Sequence, residues 1–117
     1  MGIERFEQLE VWQVAHQLVL DVYRTTARYP NEEKFGLVSQ MRRAAVSVPA
    51  NIAEGFKRRG LGDKAHFYNI AQSSLEEVRY YFILSRDLGY DLDYTALSAR
   101  ADSIAKMLTN LVKAIRS

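Results

Sequence analysis

The sequence predicts an all-α fold, an antiparallel up-down-up-down four-helix bundle, and three observations carry that expectation. Apolar residues recur at intervals of three and four in four separate stretches, which gathers them on one face of a helix each time. Proline and glycine fall between the stretches: Pro30, the Gly60-Leu61-Gly62 run and Gly89 mark the joints. Nowhere does the chain alternate apolar and polar residues with the period of two that a half-buried strand needs. Helices joined by connections this short lie antiparallel to their neighbours.

The first helix is expected from about Leu9 to Arg28, with Trp12, Ala15, His16, Val19, Val22, Tyr23 and Thr26 on its apolar stripe. Tyr29-Pro30-Asn31 ends it, because proline disfavours a helical conformation in the residue before it. Asn31-Glu32-Glu33 offers a capping side chain and first-turn acids for a second helix, which runs to about Arg59 on the stripe Val38, Met41, Ala45, Val48, Ile52 and Phe56. Pro49 sits inside that helix, removes a backbone donor and is expected to bend it, with Ser47 or Asn51 near enough to satisfy the released groups. Gly60-Leu61-Gly62-Asp63 is the next break. A third helix turns Phe67, Ala71, Ser74, Val78, Tyr81, Phe82 and Ser85 inward and stops at Leu88-Gly89-Tyr90, with glycine just beyond the last turn. Asp93 or its neighbours cap a fourth, whose stripe of Leu97, Ala101, Ile104, Ala105, Leu108, Leu111, Val112 and Ile115 is the cleanest in the chain.

The 117 residues, 48% of them hydrophobic, suit one domain spanning 1–117. With no cysteine, disulfides, thiolate metal sites and a cysteine nucleophile are excluded, and a reducing cytoplasm is the expected home. The N-terminus is charged where a signal peptide needs an apolar run, and no segment has the roughly 18–20 continuous apolar residues of a membrane span. No membrane association is expected.

Net charge is only +2, but it is unevenly spread. Between Ser39 and His66 stand Arg42, Arg43, Lys57, Arg58, Arg59 and Lys64 against Glu54 and Asp63, so this segment carries +4 and the remainder −2. These six cations are the candidate phosphate contacts. The glycines beside them make no phosphate loop, since the GxxxxGK spacing and a preceding strand are both missing. Opposite the apolar stripe of the second helix, Arg43, Ser47, Asn51, Glu54 and Arg58 stack into a polar ridge flanked by the small residues Val46, Ala50 and Ala53. Such a ridge reads as a hydrogen-bonded packing network or a docking face.

No catalytic residue, cofactor or metal ligand set is expected. His16 and His66 are the only histidines; two isolated imidazoles do not make a metal site, and His16 on an apolar stripe reads as a core histidine. Glu76 and Glu77 are adjacent, so on a helix they diverge; Glu77 is expected to pair with an arginine or Asn51. Tyr68 and Tyr80 are candidates for an intersubunit surface or for stacking on bases.

The run Arg42-Arg-Ala-Ala-Val-Ser-Val-Pro-Ala-Asn-Ile-Ala-Glu-Gly-Phe56, followed by Phe67-Tyr-Asn-Ile-Ala-Gln-Ser-Ser-Leu-Glu-Glu77, Leu88-Gly89-Tyr90 and the entry Leu9-Glu-Val-Trp-Gln-Val-Ala15, resembles the bacterial four-helix bundle proteins of the 23S ribosomal RNA intervening-sequence family. The likeness covers nearly the whole chain. Its pattern maps onto Arg43, Ser47, Asn51, Ala53, Glu54 and Gly55 in the second helix and Ala71, Ser74 and Glu77 in the third. The resemblance implies a homopentamer, because the family is similar in fold and assembly to the accessory protein of diversity-generating retroelements, a basic barrel that binds nucleic acid and a reverse transcriptase. Five copies at +2 each carry +10, gathered by symmetry. The expected function is a non-enzymatic, nucleic-acid-associated scaffold for RNA or DNA; the alternative is an adaptor ring that binds a protein partner and no nucleic acid.

Overall fold

In the computed structural model, which describes residues 2–116, the four stripes become helices α1 (Glu10–Thr26), α2 (Leu37–Lys57), α3 (Leu61–Asp87) and α4 (Tyr94–Arg116). Short 3-10 turns at Phe6–Gln8 and Asn31–Glu33 precede α1 and α2, and the described residues contain no strand. Consecutive helices pack side by side, α1 closes against α4, and the diagonal pairs stay apart, which makes a square antiparallel bundle. It measures 45 × 24 × 23 Å, its length set by the 27 residues of α3. Leu18, Met41, Val48, Ile52, Leu75, Phe82, Ile104 and Leu108 fill the interior from all four helices. Among the described residues no helix is long and apolar enough to cross a membrane.

The capping chemistry at the α3–α4 corner follows the sequence closely. Gly89 takes φ +79°, its N–H donates to Arg86 O (3.0 Å) and the Tyr90 N–H reaches back to Ser85 O (3.0 Å), so the last carbonyls of α3 are satisfied by a left-handed glycine. Asp93 then caps α4, its Oδ1 accepting from the Ala96 N–H at 3.1 Å.

Three expectations need correction. Asn31 does not cap α2: it opens a separate turn, and Gly36, at φ −110° and ψ −108°, breaks the backbone before Leu37. Glu33 answers the first orphan amide instead, accepting from Leu37 N at 3.4 Å. The α2–α3 break is tighter than the glycines suggest, since α3 begins at Leu61 and takes Gly62 and Asp63 into its first turn, where an acid suits the helix dipole. The buried face of α1 is also rotated. Its core residues include Val11 and Leu18, while Trp12 and His16 are half-buried and Tyr23 is exposed, because α1 faces α2 and α4 together and those rings fall on its α2-side rim. His16 is therefore not a core histidine; it stacks on Trp12 with ring centroids 5.1 Å apart.

Helix α2 is continuous through Pro49, whose ring is buried. The acceptor that proline cannot serve is the Ala45 carbonyl. Asn51 answers a different one: its amide donates to Ser47 O (2.8 Å) and Ser47 Oγ (2.9 Å).

Candidate functional site

The structure divides the polar ridge of α2. Ser47 and Asn51 are half-buried and face α3, where Ser47 Oγ and the buried Ser74 Oγ share a hydrogen bond of 2.8 Å. These three residues form one connected cluster across the α2–α3 interface. Arg43 and Glu54 lie outside it: Arg43 donates to Gln40 Oε1 (3.0 Å), and Glu54 accepts from Arg58 (3.1 Å), both at the surface. Glu77 accepts from the Tyr81 hydroxyl (3.3 Å) rather than from Asn51 or an arginine. Burial, and then the Glu77 carboxylate, push the Tyr81 hydroxyl above its ordinary pKa.

Gly55 has a different role from its neighbours on the ridge. A Cβ there would lie 2.5 Å from Tyr68 Cε1, so the absence of a side chain is what lets the Tyr68 ring press against α2. Tyr68 is 2% exposed, a core residue, and not the intersubunit or base-stacking surface that its position on α3 suggests. Tyr80 does stay at the surface, tilted against Tyr81 at 5.9 Å.

The six candidate phosphate contacts also separate. Lys64 turns back onto the end of α2 and donates to Gly55 O (3.1 Å), which also accepts from the Arg58 N–H (3.2 Å), and to Phe56 O (2.8 Å), capping the last turn. Partial burial there lowers its pKa. Arg58 is held by Glu54 and lies over the Phe67 ring, 4.6 Å from its centroid. Lys57 and Arg59 remain exposed and have no ion-pair partner among the described residues. At the other end of α2, Arg42 donates from Nε to Thr26 Oγ1 (2.9 Å) and from one terminal nitrogen to Tyr23 O (3.3 Å), with its guanidinium 4.4 Å from the Tyr23 ring centroid.

Between α1 and α2 runs a seam with two halves that meet at Val46. One half, a groove of about 500 Å³, is bordered by Tyr23, Lys34, Phe35, Arg42 and Arg43. The other, about 380 Å³, is apolar and bordered by Phe6, Trp12, His16, Pro49, Ala50 and Ala53. Sequence reasoning missed Lys34 and Phe35 because they precede α2 on no stripe. Their signal was an aromatic residue set between a lysine and a glycine, outside any amphipathic pattern. No three of the described His, Asp and Glu side chains converge as metal ligands, and His66 packs edge-on to Phe67 at 5.3 Å.

Residues 7–110 match the family model described as 23S rRNA-intervening sequence protein. A crystal structure from Bacteroides thetaiotaomicron, of a protein of unknown function from the S23 ribosomal protein family, superimposes with a TM-score of 0.81 at 24% identity. The match covers 88% of this chain and 95% of that one, and at this identity it speaks for the fold. No curated protein matches the chain.

Proposed function

This chain belongs to the 23S rRNA-intervening sequence protein family, and from that premise we propose that it is a non-enzymatic, nucleic-acid-associated scaffold acting as a homo-oligomeric ring in the cytoplasm. One observation carries the reading. Among the described residues, every arginine from Arg5 to Arg100 has a carboxylate partner except Arg42, Arg43 and Arg59. Apart from Arg116 at the end of α4, unneutralised guanidinium thus gathers at the two ends of α2, where Lys34 and Lys57 add to it. A polyphosphate supplies the missing counter-charge and releases its own counterions on binding. Arg42, Arg43, Lys57 and Arg59, none with a carboxylate partner among the described residues, are the proposed phosphate contacts; Arg58 is left out because Glu54 neutralises it, and Lys64 because it caps the end of α2.

The ring supplies multiplicity. The apolar half of the α1–α2 seam, with exposed Val46 and Ala50 beside half-buried Trp12, is the proposed subunit interface, and small residues let a neighbouring helix approach closely. A pentamer repeats each basic patch five times, so weak contacts sum by effective concentration.

Filter binding of RNA and DNA across a salt series tests the first part. Affinity should fall with a log-log slope of roughly −0.7 to −0.9 per phosphate neutralised, and Arg42→Glu with Arg43→Glu should abolish it while helicity is retained. Absence of binding at low salt overturns it. Ala50→Trp tests the second: the oligomer should dissociate toward the 13.4 kDa chain, and binding should weaken although no cation has changed. A folded Ala50→Trp monomer that binds as tightly as the wild type would make the ring irrelevant. The second reading, an adaptor for a protein partner, draws on the same apolar groove, and salt-independent capture of a protein there without nucleic-acid binding would favour it.

A further inference from the structure

We propose that the basic half of the seam is a stacking site for an unpaired base, so that the protein selects single strands or unpaired loops over duplex. This rests on the nucleic-acid reading above and adds to it the form of nucleic acid recognised. Phe35 is 89% exposed, the most exposed large apolar side chain among the described residues, and borders a groove of about 500 Å³ together with Tyr23, itself 43% exposed. These two rings border one groove and leave apolar surface in water.

Around them stand Lys34, Arg42 and Arg43, none ion-paired to a described carboxylate. The guanidinium of Arg42 is fixed over Tyr23 by its bonds to Thr26 and the Tyr23 carbonyl, leaving one terminal nitrogen for a phosphate oxygen. Lys34 Nζ lies 5.6 Å from the Phe35 ring centroid, so cation and ring are side by side on that wall too. The nearest acid in sequence, Glu33, is turned away from the groove by the Tyr90 hydroxyl (2.7 Å) and the Leu37 N–H. Rings for a base and cations for its flanking phosphates, within one groove, are the elements of single-strand recognition. Paired bases hide their faces in the stack and offer only phosphates here.

The test compares oligo(dT), oligo(rU) and a duplex of equal phosphate number on the whole protein. Wild type should prefer the single strands, and Phe35→Ala should weaken them by roughly 5- to 150-fold while leaving duplex affinity unchanged. At its exposure Phe35 does not hold the fold together, so circular dichroism should be unaltered. The oligo(dT) and oligo(rU) arms show whether a 2′-hydroxyl matters. Equal binding of single strand and duplex, with Phe35→Ala neutral, overturns this inference and leaves the nucleic-acid reading standing. Binding of neither at low salt overturns both. Displacement of oligo(dT) by polyglutamate at equal charge would overturn stacking in favour of charge alone.

Discussion

At the Lys57 end of α2, Lys64 caps the helix carbonyls, Arg58 is paired and stacked, and Gly55 admits the Tyr68 ring, while Lys57 and Arg59 stay exposed. At the Arg42 end no described carboxylate holds Arg42 or Arg43: Arg42 donates to Thr26 and the Tyr23 carbonyl with one terminal nitrogen left over, beside exposed rings, and the neighbouring acid is tied up elsewhere. Both ends look alike as runs of basic residues. The difference teaches that charge counted along a chain becomes available charge only where no carboxylate neutralises it and its donors are not folded back onto a helix end. Substitutions at Gly55 and Lys64 should therefore change stability, and those at Arg42 and Arg43 should change binding.

The largest stability effect expected from a small change is at Gly55. Gly55→Ala places a methyl group 2.5 Å from the buried Tyr68 ring, and overpacking of this kind costs about 1–3 kcal/mol. Urea unfolding measures it, and a loss near zero would mean that Tyr68 can slide and the joint is loose. Lys64→Met comes next: it keeps the apolar stem but removes two bonds to backbone carbonyls, at a cost on the order of 1 kcal/mol for a partly exposed donor. Nucleic-acid affinity should stay near the wild-type value in both variants. A loss in Lys64→Met matching that of Arg42→Gln would erase the contrast between the two ends.

A smaller effect appears only at high pH, in the clamp that keeps Glu33 out of the groove. The hydrogen bond to Glu33 is the main reason the Tyr90 hydroxyl is raised from 10.0 to about 12, with burial second. Because the folded pKa lies above the unfolded one, this contribution is fully present below pH 10 and is lost as pH rises towards 12. Tyr90→Phe should flatten that part of the stability profile, and by freeing Glu33 beside Lys34 it should also weaken oligo(dT) binding at neutral pH. An unchanged alkaline profile would show that the clamp does not couple to folding.

The architecture was legible because it depends on periodicity. The Leu97 to Ile115 stripe, the Gly89 stop and the Asp93 cap are each decided by a few neighbouring residues. Which face of α1 is buried was less legible, since Trp12, His16 and Tyr23 share the helical spacing of its core residues, and only the tertiary arrangement puts them on the rim. The basic segment was visible as a charge excess, but the engagement of Lys64 and Arg58 was not, because it depends on side chains turning back across the Arg58–Gly60 connection. Phe35 was missed because periodicity finds residues that belong to a stripe, and its meaning comes from belonging to none.

The smallest effect expected is the one that sharpens the comparison most. Read from spacing alone, Glu54 belongs to a buried network, and Glu54→Ala would leave a donor unpaired at a cost of about 1–3 kcal/mol. Among the described residues its one ion-pair partner is Arg58, four residues on, with the two side chains 56% and 44% exposed. Exposed pairs at this spacing contribute roughly 0.3–0.5 kcal/mol, so the melting temperature should barely move. The binding readout is more telling. Removing Glu54 takes away the one carboxylate at this end of α2 that holds an arginine, yet Arg58 keeps its place over Phe67 at 4.6 Å. The salt slope for nucleic-acid binding should therefore stay at the wild-type value. A slope steeper by roughly 0.7, one further phosphate contact, would mean that Glu54 alone restrains Arg58 and that the two ends of α2 differ by a single removable charge.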